Sequence, residues 1–330
     1  MNAPTTSTSP LIDEATFHAD VQYIESLWRR IPVGSVDMPL IDTGEGEALV
    51  FVPILEHLEW VYARQVQAFS RSRRVIMYRR QENRARFVGL AERAAELLRV
   101  LDSLGLQQVD LVGHGDAAMV LFEFAIQYPK RCRSLIIIAQ AADYQIAPHP
   151  FIWLLHELFI RLPVEHLLPT WFLRRIVINY IMASRPISRR SHGRGRGGVD
   201  DGWGSLRSPS DLVLEPSHLL QLPRHLIEQQ FAKIADWPAV YKFSVLPIIH
   251  NFDIRQLLYR LTMPVLLINR ADDALSPEAK TRWLAQHLPV CAGYHVIAGG
   301  ERFFMYAQAE QVNALIHTFL AGEQHHTFLT

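Results

Sequence analysis

The stretch that most limits what this chain can fold into runs from Val109 to Pro129. Val109-Asp110-Leu111-Val112 is a short, mostly apolar run. Gly113-His114-Gly115-Asp116-Ala117-Ala118 follows without a break, and then an apolar segment closed by Tyr128-Pro129. This order predicts a buried strand, a tight turn that uses glycine's backbone freedom, and a helix packed straight back onto the strand. A strand and helix joined so closely belong to an alternating, parallel architecture rather than to a bundle or a sandwich.

The same rhythm recurs along the chain. Ala48–Val52, Val75–Tyr78, Leu135–Ile138, Pro264–Asn269 and Tyr294–Ile297 read as buried strands. A helix is predicted over 87–104, where Leu90, Ala94, Leu97, Leu98 and Leu101 recur at helical spacing and Gly105 sits at the C-terminal cap. Ser276-Pro277-Glu278 reads as an N-cap, a proline at the first helical position and an acid in the first turn. The last helix is predicted at 306–320. Residues 12–34 read as a helical lead-in ending at Pro32, and 36–52 as extended runs around Asp42-Thr43-Gly44-Glu45-Gly46. The expected fold class is therefore α/β, a mostly parallel central sheet with helices on both faces.

Between 143 and 254 the alternation stops, and a helical insert rich in Trp, Phe, Leu, His and Pro takes its place. Within it, 184–211 carries Arg189-Arg190 and Gly193-Arg194-Gly195-Arg196-Gly197-Gly198 with little apolar content, and is expected to be disordered. The division expected is an N-terminal extension at 1–34, a core at 35–142 and 255–322, the insert at 143–254, and a tail at 323–330. Thirty-three Lys and Arg balance 33 Asp and Glu, so no global field favours nucleic acid or an acidic membrane. The arginine-rich stretch lacks the interleaved aromatics of a nucleic-acid surface. Cys132 and Cys291 form no metal-like spacing, and no metal or cofactor is expected. No signal peptide or membrane-spanning run stands out, so a soluble, cytoplasmic protein is expected.

The turn at 113–118 resembles the strand–turn–helix elbow of the α/β-hydrolase superfamily, whose pattern is G-x-nucleophile-x-small. The resemblance covers about 35–142 and 250–322 and is closest to cap-bearing esterases, C–C hydrolases and haloperoxidase-like members. It implies the α/β-hydrolase fold with a helical cap at 143–254, and it assigns a mechanism in parts, three of which depart from the family's pattern. The nucleophile position is Gly115, which has no side chain to attack with. The histidine position, in Gly299-Gly300-Glu301-Arg302-Phe303-Phe304, is Arg302, which stays protonated and cannot act as a base. The oxyanion loop, His-Gly in the family, is Pro53-Ile54, with the N–H of Leu55 left to serve and Asp116 counted in the same region. Only the acid survives, as Asp273 in Arg270-Ala271-Asp272-Asp273. An Asp273–Arg302 ion pair is expected in place of the acid–histidine pair. His114 falls on the variable middle position of the elbow, and Asp116 is the nearest substitute nucleophile but sits one residue late. The turn Arg79-Arg80-Gln81-Glu82-Asn83-Arg84 has lost the glycines of the family's acid-x-Arg-Gly-x-Gly loop.

In a serine hydrolase the nucleophile or base alone is worth roughly a millionfold in rate, or about 8 kcal/mol of barrier. With both replaced, the expectation is a pseudo-hydrolase that binds an apolar or anionic small molecule or a protein partner. Pocket candidates are His114, Phe151, Trp153, Trp171 and Phe303, with Leu154, Phe159, Phe172 and Tyr180 as further cap contacts. Ordinary core packing is the alternative for each. The sequence does not separate the pseudo-hydrolase from a purely structural or oligomerising subunit, and two other readings stay open. One is a rewired lyase, isomerase or decarboxylase using Asp116, Asp273, Arg302 or a cap histidine (His156, His166 or His250). The other is a residual hydrolase with displaced residues. The sequence does not fix an oligomeric state.

Overall fold

The computed structural model describes residues 10–144, 150–163, 165, 167, 169–182, 220–297 and 302–322, without the side chains of 150–153, 155, 156 and 180. Its centre is one eight-stranded sheet. Helix α1 (Glu14–Leu27) leads into β1 (Arg29–Val33), β2 (Val36–Thr43) and β3 (Ala48–Phe51), then α2 (Ala63–Phe69), β4 (Arg74–Tyr78), α3 (Leu90–Ser103), β5 (Val109–His114), α4 (Asp116–Gln127) and β6 (Cys132–Ile138). Among the described residues, the elements between β6 and β7 are helices: α5 (Pro150–Arg161), α6 (Thr170–Ile181), α7 (Arg224–Ala232), and a run containing α8 (Trp237–Val240) and α9 (Leu246–Ile249). The alternation then resumes with β7 (Val265–Arg270), α10 (Glu278–His287), β8 (Cys291–Ile297), α11 (Phe304–Ala307) and α12 (Ala309–Leu320).

The strand order is β1-β2-β4-β3-β5-β6-β7-β8. β1 and β2 pair antiparallel with their neighbours, and β3 to β8 run parallel. β5 lies near the middle and is buried along its whole length, as is β7. This explains why neither alternates: β7 opens on the apolar run Val265–Ile268, and in β5 the apolar positions are broken only by the buried Asp110 before the elbow. Helix α4 is apolar almost all round and packs back against β5. Gly113 permits that approach, because a Cβ there would lie 2.9 Å from both Ala118 N and Leu121 Cδ1.

Three local expectations need correction. The helical lead-in stops at Leu27, and Pro32 lies inside β1. β1 is an edge strand, where a residue without an N–H is tolerated, and Gly34-Ser35 closes a two-residue hairpin onto β2. Ser276 does not cap α10, because its hydroxyl donates to Ala139 O at 2.7 Å and Pro277 precedes the helix without a side-chain cap. The single C-terminal helix is two, broken at Gln308, whose side chain donates to Leu220 O. The arginine-rich stretch at 184–211 lies outside the described residues. No helix among the described residues is long and apolar enough to cross a membrane.

Candidate functional site

β5 delivers its last residue, His114, to the C-terminal edge of the sheet, and the chain turns into α4 through Gly115. Gly115 has φ 59° and ψ −122°, a conformation that L side chains rarely adopt. Its N–H is fixed by Ile138 O at 2.9 Å, and its carbonyl accepts Ala118 N at 3.0 Å. The turn therefore has the sharp geometry of an elbow and presents no side chain at its tip.

Arg302 faces that tip. A Cβ built on Gly115 would lie 2.9 Å from Arg302 Nη2. The guanidinium is held in place: Nη1 donates to both Asp273 oxygens, at 3.2 and 3.0 Å, and Nη2 reaches Ala139 O at 3.4 Å. The expected two-nitrogen fork is thus a single nitrogen shared between two oxygens, because Nη2 is turned toward the elbow. Asp273 Oδ1 also accepts the N–H groups of Leu275 and Ser276 at 2.8 and 2.9 Å. Burial alone would push the Asp273 carboxyl up; the Arg302 charge and these backbone donors outweigh it and hold the group below its ordinary value.

His114 belongs to the same cluster but serves its backbone. Its Nε2 is 2.8 Å from Arg302 O; a carbonyl only accepts, so Nε2 carries the proton and Nδ1 does not. Nδ1 is buried without a partner. Burial, reinforced by the Arg302 charge, drives the imidazole pKa down to about 3, so the ring is neutral and ties the 302 backbone to the elbow. The His114 N–H donates to Tyr62 Oη at 3.1 Å, and Tyr62 O–H donates to Val52 O at 3.0 Å. Tyr62 thereby links the ends of β3 and β5 beside the loop Pro53-Ile54-Leu55. Ile54 and Leu55 are buried there, and Leu55 O accepts Leu58 N to close a turn.

Asp116 points into a different network. Its carboxylate accepts Arg80 Nη1 at 3.1 Å, and Arg80 Nε reaches Glu82 at 2.6 Å. Glu82 also takes Arg93 Nη2 at 3.1 Å, and Arg93 Nη1 donates to Glu96 at 2.9 Å. Burial raises the Asp116 pKa despite Arg80. The turn that lacks the family's glycines is thus held by a buried ionic chain, Asp116–Arg80–Glu82–Arg93–Glu96, whose members are scattered along the sequence.

The pocket candidates separate. Phe303 is buried, 5.3 Å from the Trp60 ring and 6.2 Å from His114, so Phe303 and His114 are core. Trp171 stands on the outside of α6, 66% exposed, and Phe172 beside it is exposed as well. Burial places Phe159 inside. The side chains of Phe151, Trp153, His156 and Tyr180, and His166 altogether, lie outside the described residues. His250 Nε2 meets Glu157 Oε1 at 3.0 Å. Two cavities, of about 410 and 650 Å³, open beside Glu82, Arg93 and Glu96 and beside α10, and neither is lined by Gly115, Asp273 or Arg302.

Known proteins agree with this architecture. A thermophilic esterase from Thermogutta terrifontis superposes with a TM-score of 0.64 at 18% identity, over 90% of this chain and 99% of its own. An enol-lactonase from Burkholderia xenovorans LB400 gives 0.63 at 16%, over 89% and 100%. In sequence, a poly(3-hydroxyalkanoate) depolymerase from Ectopseudomonas oleovorans is 24% identical over 241 residues, 72% of this chain and 69% of its own. The chain has the α/β-hydrolase fold. A putative carbamate hydrolase, RutD, from Caulobacter sp. (strain K31) is likewise 24% identical over 271 residues, covering 79% of this chain and 86% of its own. No protein-family profile matches the chain.

Proposed function

We propose that this α/β-hydrolase-fold protein is a pseudo-hydrolase that acts by binding, with an apolar or anionic small molecule or a protein as its partner, and does not turn over esters. The relatives carry hydrolase names, so the reading rests on what replaces the chemistry. The observation that carries it is the Arg302 guanidinium set against Gly115. The space where an elbow side chain would project is filled by a permanently charged group, and that group is neutralised by the acid that would otherwise orient a histidine. A residual nucleophile has no support at Asp116, whose carboxylate is engaged by Arg80.

The test is turnover of a broad acyl-ester and lactone panel by the wild type, with Asp116→Asn and His250→Ala alongside. The expected result is no turnover above background by any of the three. Wild-type turnover abolished by Asp116→Asn or by His250→Ala would establish a rewired site instead, and turnover insensitive to both would establish a hydrolase with displaced residues.

A further inference from the structure

Helices α5 and α6 are rich in large apolar residues, and some of these meet water. Their inner residues, Phe159 on α5 and Val177 and Ile178 on α6, are buried in the core. Leu154 and Leu158 on α5 and Leu162 just past its end follow at a spacing of four and are exposed, so they form one stripe along the helix. On α6, Trp171, Phe172 and Ile176 form another, with Leu167, 77% exposed, in the connection between the helices. Seven of the twelve exposed large hydrophobic side chains among the described residues therefore lie between 154 and 176. A concentrated apolar patch of this kind marks an interaction surface.

The charges on this face decide what covers it. Arg161 is 76% exposed at its side chain, Arg174 is partly exposed, and Arg175 is exposed beside Ile176. The two described acids of the segment are largely covered: Glu157 is 13% exposed and pairs with His250 and with Arg161 itself, whose side chain stays mostly in water, and Glu165 is buried against Lys242. The balanced net charge of the chain conceals a local surface that is apolar and cationic.

We propose that the outer face of α5–α6 docks on an anionic lipid surface, lying in the interfacial plane. Trp, Phe and Leu beside exposed arginines are the composition of helices that settle at the headgroup boundary. Each helix has 12 residues, too few to cross a bilayer, which suits lying on it. A second copy of the chain is the poorer occupant. A two-fold interface sets the same patch against itself, so these arginines would meet their own kind, with the described acids between 154 and 176, Glu157 and Glu165, only 13% and 7% exposed.

The experiment is flotation of the full-length protein with vesicles of phosphatidylcholine alone and with about one-third phosphatidylserine. Apparent affinity is expected to be about tenfold or more higher on the anionic vesicles. Trp171→Glu/Phe172→Glu and Arg161→Glu/Arg175→Glu are each expected to lose about tenfold on those vesicles. Equal partition of the wild type onto both vesicle types would overturn the proposal. So would a concentration-dependent dimer in sedimentation velocity that Trp171→Glu/Phe172→Glu disperses, in a protein that binds no vesicles. Should a variant fail to fold, the wild-type lipid comparison decides alone. Ester turnover at the elbow would refute the proposed function and leave this proposal standing.

Discussion

Gly115→Ala measures how far Arg302 fills the elbow, and its cost divides into two parts. A β-carbon at φ 59° and ψ −122° brings backbone strain of about 1–3 kcal/mol. The same carbon lies 2.9 Å from Arg302 Nη2, closer than carbon and nitrogen pack, so the guanidinium must retreat by a few tenths of an ångström. It is pinned by Asp273 and Ala139, and retreat costs a weak hydrogen bond and stretches a buried pair, about 1 kcal/mol. The total expected is about 2–4 kcal/mol, a large part of a domain's usual margin of about 5–15 kcal/mol. Arg302→Lys keeps a cation for Asp273 and removes the planar group from the space before residue 115. In that background Gly115→Ala should cost the strain alone. Urea unfolding of the four proteins closes the cycle, and the expected coupling is about 1 kcal/mol, with m-values unchanged. Equal cost of Gly115→Ala in both backgrounds would refute the claim that Arg302 occupies the nucleophile's space.

Other outcomes follow from the buried charges. Asp273 titrates below its ordinary 3.8, so its pairing stabilises the fold above that pH and is lost as pH falls through the depressed value. Asp273→Asn should cost about 3–5 kcal/mol at neutral pH, and urea midpoints should show the gap from wild type closing below pH 3.8. His114 stays neutral down to about pH 3, whereas its ordinary pKa is 6.5. The unfolded chain therefore takes up a proton that the folded one refuses, and stability falls as pH drops from 6.5 toward 3. Melts of His114→Gln should lack that fall, gaining about 1–2 kcal/mol relative to the wild type by about pH 5. Glu59 runs in the opposite sense: burial, against the attraction of Arg79, raises it to about 7. Its contribution is full below the ordinary 4.5 and lost as pH rises through about 7, so Glu59→Gln should flatten the stability profile between those limits. Arg80→Met strands Asp116 and part of Glu82 in the interior and should cost about 3–5 kcal/mol in urea unfolding, more than Asp116→Asn.

The parallel strands were legible because sheet faces buried on both sides demand unbroken apolar runs, as in Leu135–Ile138 and Pro264–Asn269. The β1–β2 hairpin was not: Pro32 reads as the end of a helix, and only its place at the sheet edge makes it acceptable in a strand. The Asp273–Arg302 contact could be anticipated because two positions with defined places in the family carry opposite charges. The ionic chain from Asp116 to Glu96 could not, since nothing in the sequence couples Arg80 or Arg93 to their partners before the fold brings them together. Tyr62 was missed for the same reason, its role resting on two backbone groups of different strands. Trp171 was misplaced as a pocket residue because α6 is apolar around most of its circumference, and the pattern gives no period from which to choose its inner face.

The absence of a nucleophile at the elbow is tested most directly by covalent labelling. The wild type and Gly115→Ser/Arg302→His are incubated with a fluorophosphonate and weighed intact. The wild type should remain unmodified, and the double variant should carry a single adduct mapped to position 115. A stoichiometric adduct on the wild type would contradict this reading.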